Sequence, residues 1–477
     1  MPHVSTPMTS AEMRRIYVME GLAPEVVAVT FAKTSRSPEA FDQIARELTE
    51  TTSAKFHEKW VVGYGHASVA EHAILSLAVE NVSILAAKAI EDNRLASYTE
   101  KSTRYQVYDP EHVYRPARIM ADREIGPRYE ETIKTLLKTY ISWSDKALEH
   151  LKRKSPCPEG KSERMWLARL RARACDAIRY LLPTATLTNL GWTVNARVLA
   201  HAIRKLGSSE LEEFREIAEE LRESARAKVP TLLKYCDPDL ARVQSVRAIS
   251  EIVEKEAPTQ PRVHDEVPPE VRVLRTEPTV LDVLCSGLAY SAQANDWDTV
   301  QAMVNRWSTD QKIDAIRRAL AHLGPHDPLP RAFEHCHYLV EITIDYGAWR
   351  DIQRHRMATQ TAQELTPELG ITVPALIDEL GLRQEFVDLS SLSAETYDAV
   401  AQRYPAEAVY PLMLAFRKRS LFDWNLREIY HFVKLRGSSK GHDAYRRAAI
   451  DLWREMLTVE PWMGEVLFPL GEDFQAG

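Results

Sequence analysis

Two distant stretches of this chain carry one pattern. GWTVNARVLAHAIRKLGSS at 191–209 and LFDWNLREIYHFVKLRGSS at 421–439 align without a gap. Asn195, Arg197, His201, Gly207, Ser208 and Ser209 fall on Asn425, Arg427, His431, Gly437, Ser438 and Ser439. A repeat on this scale constrains the fold more than any single motif, because a duplicated unit must be able to fold twice. Upstream, Glu71-His72 can be set against Glu334-His335, and Arg94 against Arg356. Arg94 and Asn195 are 101 residues apart, whereas Arg356 and Asn425 are 69 apart, so the first copy holds 32 extra residues.

Proline and mixed charge in APTQPRVHDEVPPE break helical periodicity and place a linker at 257–270. The expected organisation is a first repeat over 1–256, that linker, and a second repeat over 271–477. A chain of 477 residues exceeds what one core usually serves, which agrees. In 128–153, apolar residues at three- and four-residue steps (Tyr129, Ile133, Leu136, Tyr140, Trp143, Ala147) predict an amphipathic helix packed on one face. Other helices are expected at 10–20, 38–55, 161–182, 195–205, 209–228, 310–323, 425–436 and 442–456. Strands are expected at 26–31, 74–82 and 337–345. Without an alternating βαβ series or a GxGxxG loop, the mixture reads as α+β rather than a Rossmann fold.

Composition narrows the function classes. Hydrophobic content of 45% and charged content of 27% describe a folded, soluble chain. No apolar run approaches the roughly 20 residues that cross a bilayer, and MPHVSTPMTSAEMRR has no secretory core, so a cytoplasmic protein without membrane attachment is expected. A net charge of −7 gives no support to nucleic-acid binding. The five cysteines form no CxxC pair, consistent with reduced thiols. His322-x3-His326 and His335-Cys336-His337 supply metal-ligand types, but not a four-ligand pattern, so no metal is expected.

Three groups of residues carry candidate chemistry. Ser97-x-x-Glu100-x-Ser102-x-Arg104-Tyr105 brings an acceptor, a hydroxyl and a two-point cationic donor into one short segment, the mixture that a phosphorylated heterocycle needs. A solvated polar loop would read the same way. Arg354-His355-Arg356 follows an expected strand and offers charge for phosphates and flat groups for stacking; a surface ion-pair site is the blander account. Asn195-x-Arg197 and Asn425-x-Arg427 line a helix start, where Asn is also a standard cap. Gly65-His66-Ala67-Ser68 permits close backbone approach to a ligand or a helix cap.

With these residues in view, the chain resembles the flavin-dependent thymidylate synthases. GHASVAEH, SYTEKSTRY, RYLLP and WTVNAR carry the likeness in the first half; RHR, WNLR and KLRGSS carry it in the second. The resemblance implies two fused copies of that family's α+β fold. It also implies FAD as cofactor, NADPH and methylenetetrahydrofolate as co-substrates, and reductive methylation of dUMP to dTMP. Carried over residue by residue, Glu100, Ser102, Arg104, Tyr105, Arg179, Arg354 and Arg436 would bind the nucleotide. His66, Ser68, Glu100, Arg354, His355, Arg356, Asn425, Arg427 and His431 would bind FAD. Arg436 and Ser102 would act on the ring, with Arg436 favouring its N3-deprotonated form.

The losses are complementary. The first copy has Asp92-Asn93-Arg94 for Arg-His-Arg and Leu206 for the late arginine. The second has Ala362, Glu364 and Thr366 for the Glu-x-Ser-x-Arg stretch, and Glu407 where the RYLLP-type arginine is expected. One full set is divided between the copies, which implies composite sites, and a homodimer of tandem chains in place of the family's tetramer. Thr99 and Asp351 depart from the family's Asn and Gln. A non-catalytic nucleotide- or flavin-binding protein, or a flavoenzyme acting on another pyrimidine nucleotide, is the alternative.

Overall fold

The computed structural model describes residues 15–63, 67–160, 162–234, 236–256, 262–263, 267, 270–276, 280–324, 326–438 and 441–467. The 257–270 linker lies mostly outside them. The chain divides into two compact units that cut across the repeats. Unit one takes 1–78, 95–99 and 191–251; unit two takes 79–94, 100–190 and 252–477.

Strands β1 (Ile74–Ser83), β2 (Ala96–Glu100) and β3 (Leu187–Asn195) form a sheet in the order β1-β3-β2. Strands β4 (Glu270–Thr276), β5 (His337–Asp345), β6 (Thr359–Ala362) and β7 (Arg417–Asn425) form a second in the order β4-β5-β7-β6. In the second sheet β5 and β7 pair antiparallel from His337↔Asn425 to Asp345↔Arg417.

Each copy builds the same device. β1 runs into the helix Ile84–Glu91, capped by Ser83, whose Oγ accepts from Ala86 N at 2.9 Å. β5 runs into Tyr346–Ile352, capped by Asp345, whose Oδ1 accepts from Ala348 N at 2.7 Å. β3 leads to Ala196–Gly207 and β7 to Leu426–Arg436, capped by Asn195 and Asn425, each accepting a backbone N–H at 2.9 Å. The capping reading of both asparagines therefore holds. Arg197 pairs with Glu71 in unit one as Arg427 pairs with Glu334, at 2.8 Å, in unit two.

Within unit two the copies meet through reciprocal backbone hydrogen bonds. Thr184 N donates to Leu412 O at 2.9 Å and Leu414 N to Leu182 O at 2.9 Å. Ala185 N donates to Tyr410 O, and Ala415 N to Tyr180 O. This is an isologous contact built inside one chain. It places Tyr180 opposite Tyr410 in the repeat, so the counterpart of Arg179 is Val409. The sequence match of Arg179 to Glu407 is thereby corrected; Glu407 is buried and pairs with Arg118 at 3.5 Å.

The long helix Ile125–Lys154 buries Tyr129, Ile133, Leu136, Tyr140, Trp143 and Ala147, the stripe that its periodicity predicts. Burial of such large side chains contributes about 1.5–3 kcal/mol each. Three local expectations fail. Residues 26–31 are helical, inside Pro24–Lys33, because Pro24 at the first turn and Glu25 behind it are helix-start signals that outweigh a short β-branched run. Residues 15–20 form no helix, and 10–14 lie outside the described residues. The span 38–55 is two helices, Phe41–Arg46 and Glu50–His57, the second restarted by the Thr49 cap. No helix among the described residues is long and apolar enough to cross a membrane.

Candidate functional site

Glu100 ends β2, and its carboxylate is turned inward. Arg350 Nη2 reaches Oε1 at 2.5 Å; Lys88 Nζ and Arg354 Nη2 stand 2.9 and 3.5 Å from Oε2. Lys88 lies on the helix after β1 and Arg350 on the helix after β5. The two copies thus send cations from corresponding helices onto one carboxylate. Burial raises the Glu100 pKa, but Arg350, Lys88 and Arg354 outweigh it and bring it down to about 2. Glu91 completes the cluster through Lys88. Removing one member of a buried ionic network typically costs 3–5 kcal/mol. Glu100→Gln is therefore expected to destabilise the chain by about that much, read by urea denaturation at pH 7. An unchanged midpoint would show that the network is dispensable.

Ser102, Thr103 and Arg104 form the following turn. Arg104 N donates to Ser102 Oγ at 3.2 Å, and the Arg104 guanidinium grips Asp176 with two contacts, 2.5 and 2.9 Å. Its third nitrogen reaches Tyr445 Oη at 3.1 Å. Burial alone would lower the Arg104 pKa; the Asp176 contact raises it overall. Tyr105 is exposed.

Arg179 lies at the start of a short 3-10 turn, Arg179–Leu181, and is only 2% exposed. Nη1 donates to Thr103 Oγ1 at 3.3 Å, but Nε and Nη2 are buried without a partner. Buried donors are rarely left unfilled; Arg350, whose Nε and Nη1 are in the same state, shares the feature.

The second copy supplies the facing side. His355 is buried; its Nδ1 meets Glu428 at 3.0 Å, while Arg436 Nε donates to Nε2 at 3.1 Å. That fixes the proton on Nδ1. Burial lowers the His355 pKa, and the Arg436 charge adds to this against Glu428. Arg436 also donates to the Asp351 carbonyl at 2.8 Å and lies over the Tyr445 ring, 5.2 Å from its centre. Asp351 is ringed by cations. Burial raises its pKa, but Arg179, Arg354, Arg436 and Arg350 bring it down to about 2.

Arg354 is half-exposed, and Arg356 Nε donates to Arg94 O at 3.5 Å. The His431 ring is 5.8 Å from that of His355. Arg427 is engaged with Glu334 and with Leu329 O at 2.7 Å. Ser68 lies in unit one, on a cleft of about 490 Å³ shared with Phe31, Arg36, Trp60 and His72. His66 lies outside the described residues.

Glu100, Ser102, Arg104 and Arg179 thus join Arg354, His355, Arg356 and Arg436 in one compact unit of one chain. Sequence reasoning missed Lys88, Arg350, Asp176, Glu428 and Tyr445. Arg350 had a signal, since it falls four residues before Arg354 and opposite Lys88 in the repeat. Asp176 and Tyr445 had none, because their partner Arg104 is distant in sequence.

Two copies of an α+β domain that bring arginines and buried acids together in one unit are what this geometry defines. The family described as thymidylate synthase complementing protein matches residues 18–231 and 276–462, and the chain belongs to that family as a tandem duplication. Two UPF0159 proteins match along about nine-tenths of this chain or more. That of Chlamydia muridarum is 27% identical over 479 residues, covering 94% of this chain and 90% of its own. That of Thermoplasma acidophilum is 27% identical over 480 residues, covering 89% and 92%. The flavin-dependent thymidylate synthase of Clostridium tetani is 30% identical over 216 residues, 45% of this chain and 83% of that protein. The solved flavin-dependent thymidylate synthase ThyX of Helicobacter pylori, complexed with FAD and dUMP, aligns at 18% identity with a TM-score of 0.31, over 42% of this chain and all of that one.

Proposed function

We propose that the second unit binds a pyrimidine nucleoside monophosphate and FAD at one composite site, and reductively methylates dUMP there with methylenetetrahydrofolate and NADPH. The observation that carries this reading is Arg179, a buried cation with two unfilled donors, beside a cluster to which both copies contribute. A phosphate is the acceptor that such donors match best, by charge and by two-point geometry.

Arg104 and Arg179 would hold the nucleotide. Asp176 pins the Arg104 fork, so little of its freedom is lost on binding. Ser102 Oγ already accepts from Arg104 N, which leaves its own proton to donate toward the base. Glu100, consumed by three cations, acts as the post that positions Arg350 and Arg354 rather than as a ligand. The donor set also fits FAD. Arg354 is half-exposed with only long contacts to acids, and Asn425 spends its oxygen on the helix cap, leaving its NH2 group to donate. FAD, when bound, supplies the hydride and one-carbon relay. Arg427, held by Glu334, would support the Leu426–Arg436 helix that carries His431 and Arg436.

One residue set per chain implies one FAD per chain. Titration of apoprotein followed by flavin fluorescence is expected to reach its endpoint at a ratio of about one; two equivalent sites would sink the composite reading. Release of tritium from 5-tritiated dUMP tests catalysis. A second reading, a non-catalytic nucleotide- and flavin-binding protein, is favoured by the saturation of Glu100 and Arg104 with internal partners. Binding of both ligands without tritium release would decide for it. A dimer of tandem chains remains the proposed assembly.

A further inference from the structure

We infer that Lys418 is a nucleophilic amine, held over a shelf of two aromatic rings, that captures a small uncharged carbonyl compound as a Schiff base. The inference stands apart from the nucleotide reading and uses none of the residues assigned to nucleotide or flavin.

The argument starts from a difference between the copies. With Asn195 set on Asn425, Lys418 of β7 falls on Thr188 of β3. With the caps Ser83 and Asp345 superposed, Tyr346 and Trp349 fall on Ile84 and Ala87. Thr188 is buried, its hydroxyl 3.3 Å from Tyr108 Oη. In the second copy all three positions are larger, and they meet. Lys418 Nζ lies over two ring faces, 4.3 Å from the centre of Trp349 and 5.6 Å from that of Tyr346. The two rings stack on each other with centres 5.5 Å apart. Trp349 Nε1 donates to Ser420 Oγ at 2.9 Å, two residues along β7 on the face that Lys418 shares, and so fixes the shelf.

No acceptor meets this amine. Among the described residues, neither a hydrogen bond nor an ion pair reaches Nζ. The pairing of Ala362 with Ser420, continued past the Gln363 N to Arg419 O bond, sets Glu364 opposite Lys418. Yet Glu364 is exposed and makes no ion pair with it. A half-buried ammonium that meets ring faces alone loses hydration that the rings replace only in part, which favours the neutral amine. Glu364, and Asp92 after the Ile84–Glu91 helix, oppose this at longer range; Arg417 and Arg419 alternate to the other face of β7. Burial prevails and brings the Lys418 pKa down to about 8.

A neutral, partly exposed amine is a nucleophile. Its lone pair adds to the carbonyl carbon; the two amine protons leave with the carbonyl oxygen as water, and a carbon–nitrogen double bond remains. The two acids define the ligand's charge. Asp92 and Glu364 make the surroundings of Lys418 negative, which disfavours an anionic aldehyde and leaves an uncharged one unopposed.

Reductive labelling of the full-length protein tests this. The protein is treated with propanal and cyanoborohydride at about pH 7.5, and propylated lysines are quantified by peptide mass spectrometry. Lys418 is expected to be labelled at least about tenfold faster than the average exposed lysine, since on the order of a hundredfold more of it is neutral at that pH. With glyoxylate, an anionic aldehyde, the preference should fall to about threefold or less. In denaturing urea it should vanish, because the shelf belongs to the fold. Labelling of Lys418 by propanal no faster than the average would overturn the assignment and leave a structural cation over two rings. A preference that survives unfolding would overturn it too, by tracing the reactivity to the flanking arginines in sequence. Equal preference with glyoxylate would overturn the uncharged ligand class.

Discussion

Replacing Arg179 by methionine is expected to move binding and stability in opposite directions. Arg179 is buried, holds one hydrogen bond to Thr103, and leaves Nε and Nη2 unfilled. Its neighbours include Asp351 and Asp345, which feel its charge but are not within ion-pair contact of it. A guanidinium kept in this state costs the fold about 1–3 kcal/mol per unfilled polar group, and methionine fills similar space without that cost. The Arg179→Met protein should therefore denature later, by about 1–3 kcal/mol. Its affinity for dUMP should fall by roughly 30- to 1000-fold, since truncating one partner of a desolvated charge pair typically costs 2–4 kcal/mol. Denaturant titration and calorimetry on the same preparation measure both. A variant that is less stable yet binds dUMP normally would show that Arg179 is a structural cation, and the phosphate would have to be placed elsewhere. Trading stability for a prepared charge is common where function needs it.

The second large effect lies beneath the site. Asp345 is fully buried, caps the helix that carries Arg350 and Asp351, and has an Oδ2 without a partner. Burial pushes its pKa up to about 6, against the pull of the Ala348 N–H, Arg179 and Tyr180. His442, also buried, accepts from Ala444 N and faces the Asp176 carbonyl at 3.3 Å. Burial, aided by Arg179, lowers its pKa to about 4. The signs are opposite. Asp345 has a raised folded pKa, so its contribution is present below about pH 4 and is lost as pH rises through about 6. His442 has a depressed folded pKa, so its contribution is present above about pH 6.5 and is lost as pH falls through about 4. Each spans about two pK units, or about 3 kcal/mol. Between pH 4 and 6.5 they largely cancel.

Asp345→Asn keeps the cap and removes one of the pair. Its stability should exceed that of the wild type by about 1–3 kcal/mol at pH 8, and the advantage should vanish near pH 4. Denaturation midpoints across that range would reveal a steeper acid limb in the variant. A variant weaker than the wild type at pH 8 would mean that the carboxylate is needed ionised, and the upward pKa assigned to Asp345 would be wrong.

The sequence alone determined what is periodic or repeated. The Ile125–Lys154 helix was legible because its apolar side chains recur with the helical period. The matched Asn-x-Arg stretches announced two copies, and both fold as strand, cap and helix. The arginines and Glu100 were legible as a divided set, because a duplication leaves its gaps visible. Failures were local where signals conflicted, as at 26–31, where a β-branched run gave way to a helix that begins at Pro24.

Tertiary structure decided which of these groups remain available. Glu100 looked like a ligand in sequence, but Lys88 and Arg350 converge on it from corresponding helices. Arg427 looked like a cofactor contact and is held by Glu334. Arg179 gained its counterpart, Val409, only from reciprocal hydrogen bonds around Tyr180 and Tyr410. The physical reason is common to all three. A charged side chain is spent or free according to what lies within a few ångströms of its end, and long-range packing sets that distance. Sequence spacing records the element on which a charge rides; the partner that neutralises it comes from another element, 12 residues away for Lys88 and Glu100, 93 for Glu334 and Arg427, and 250 for Arg350 and Glu100.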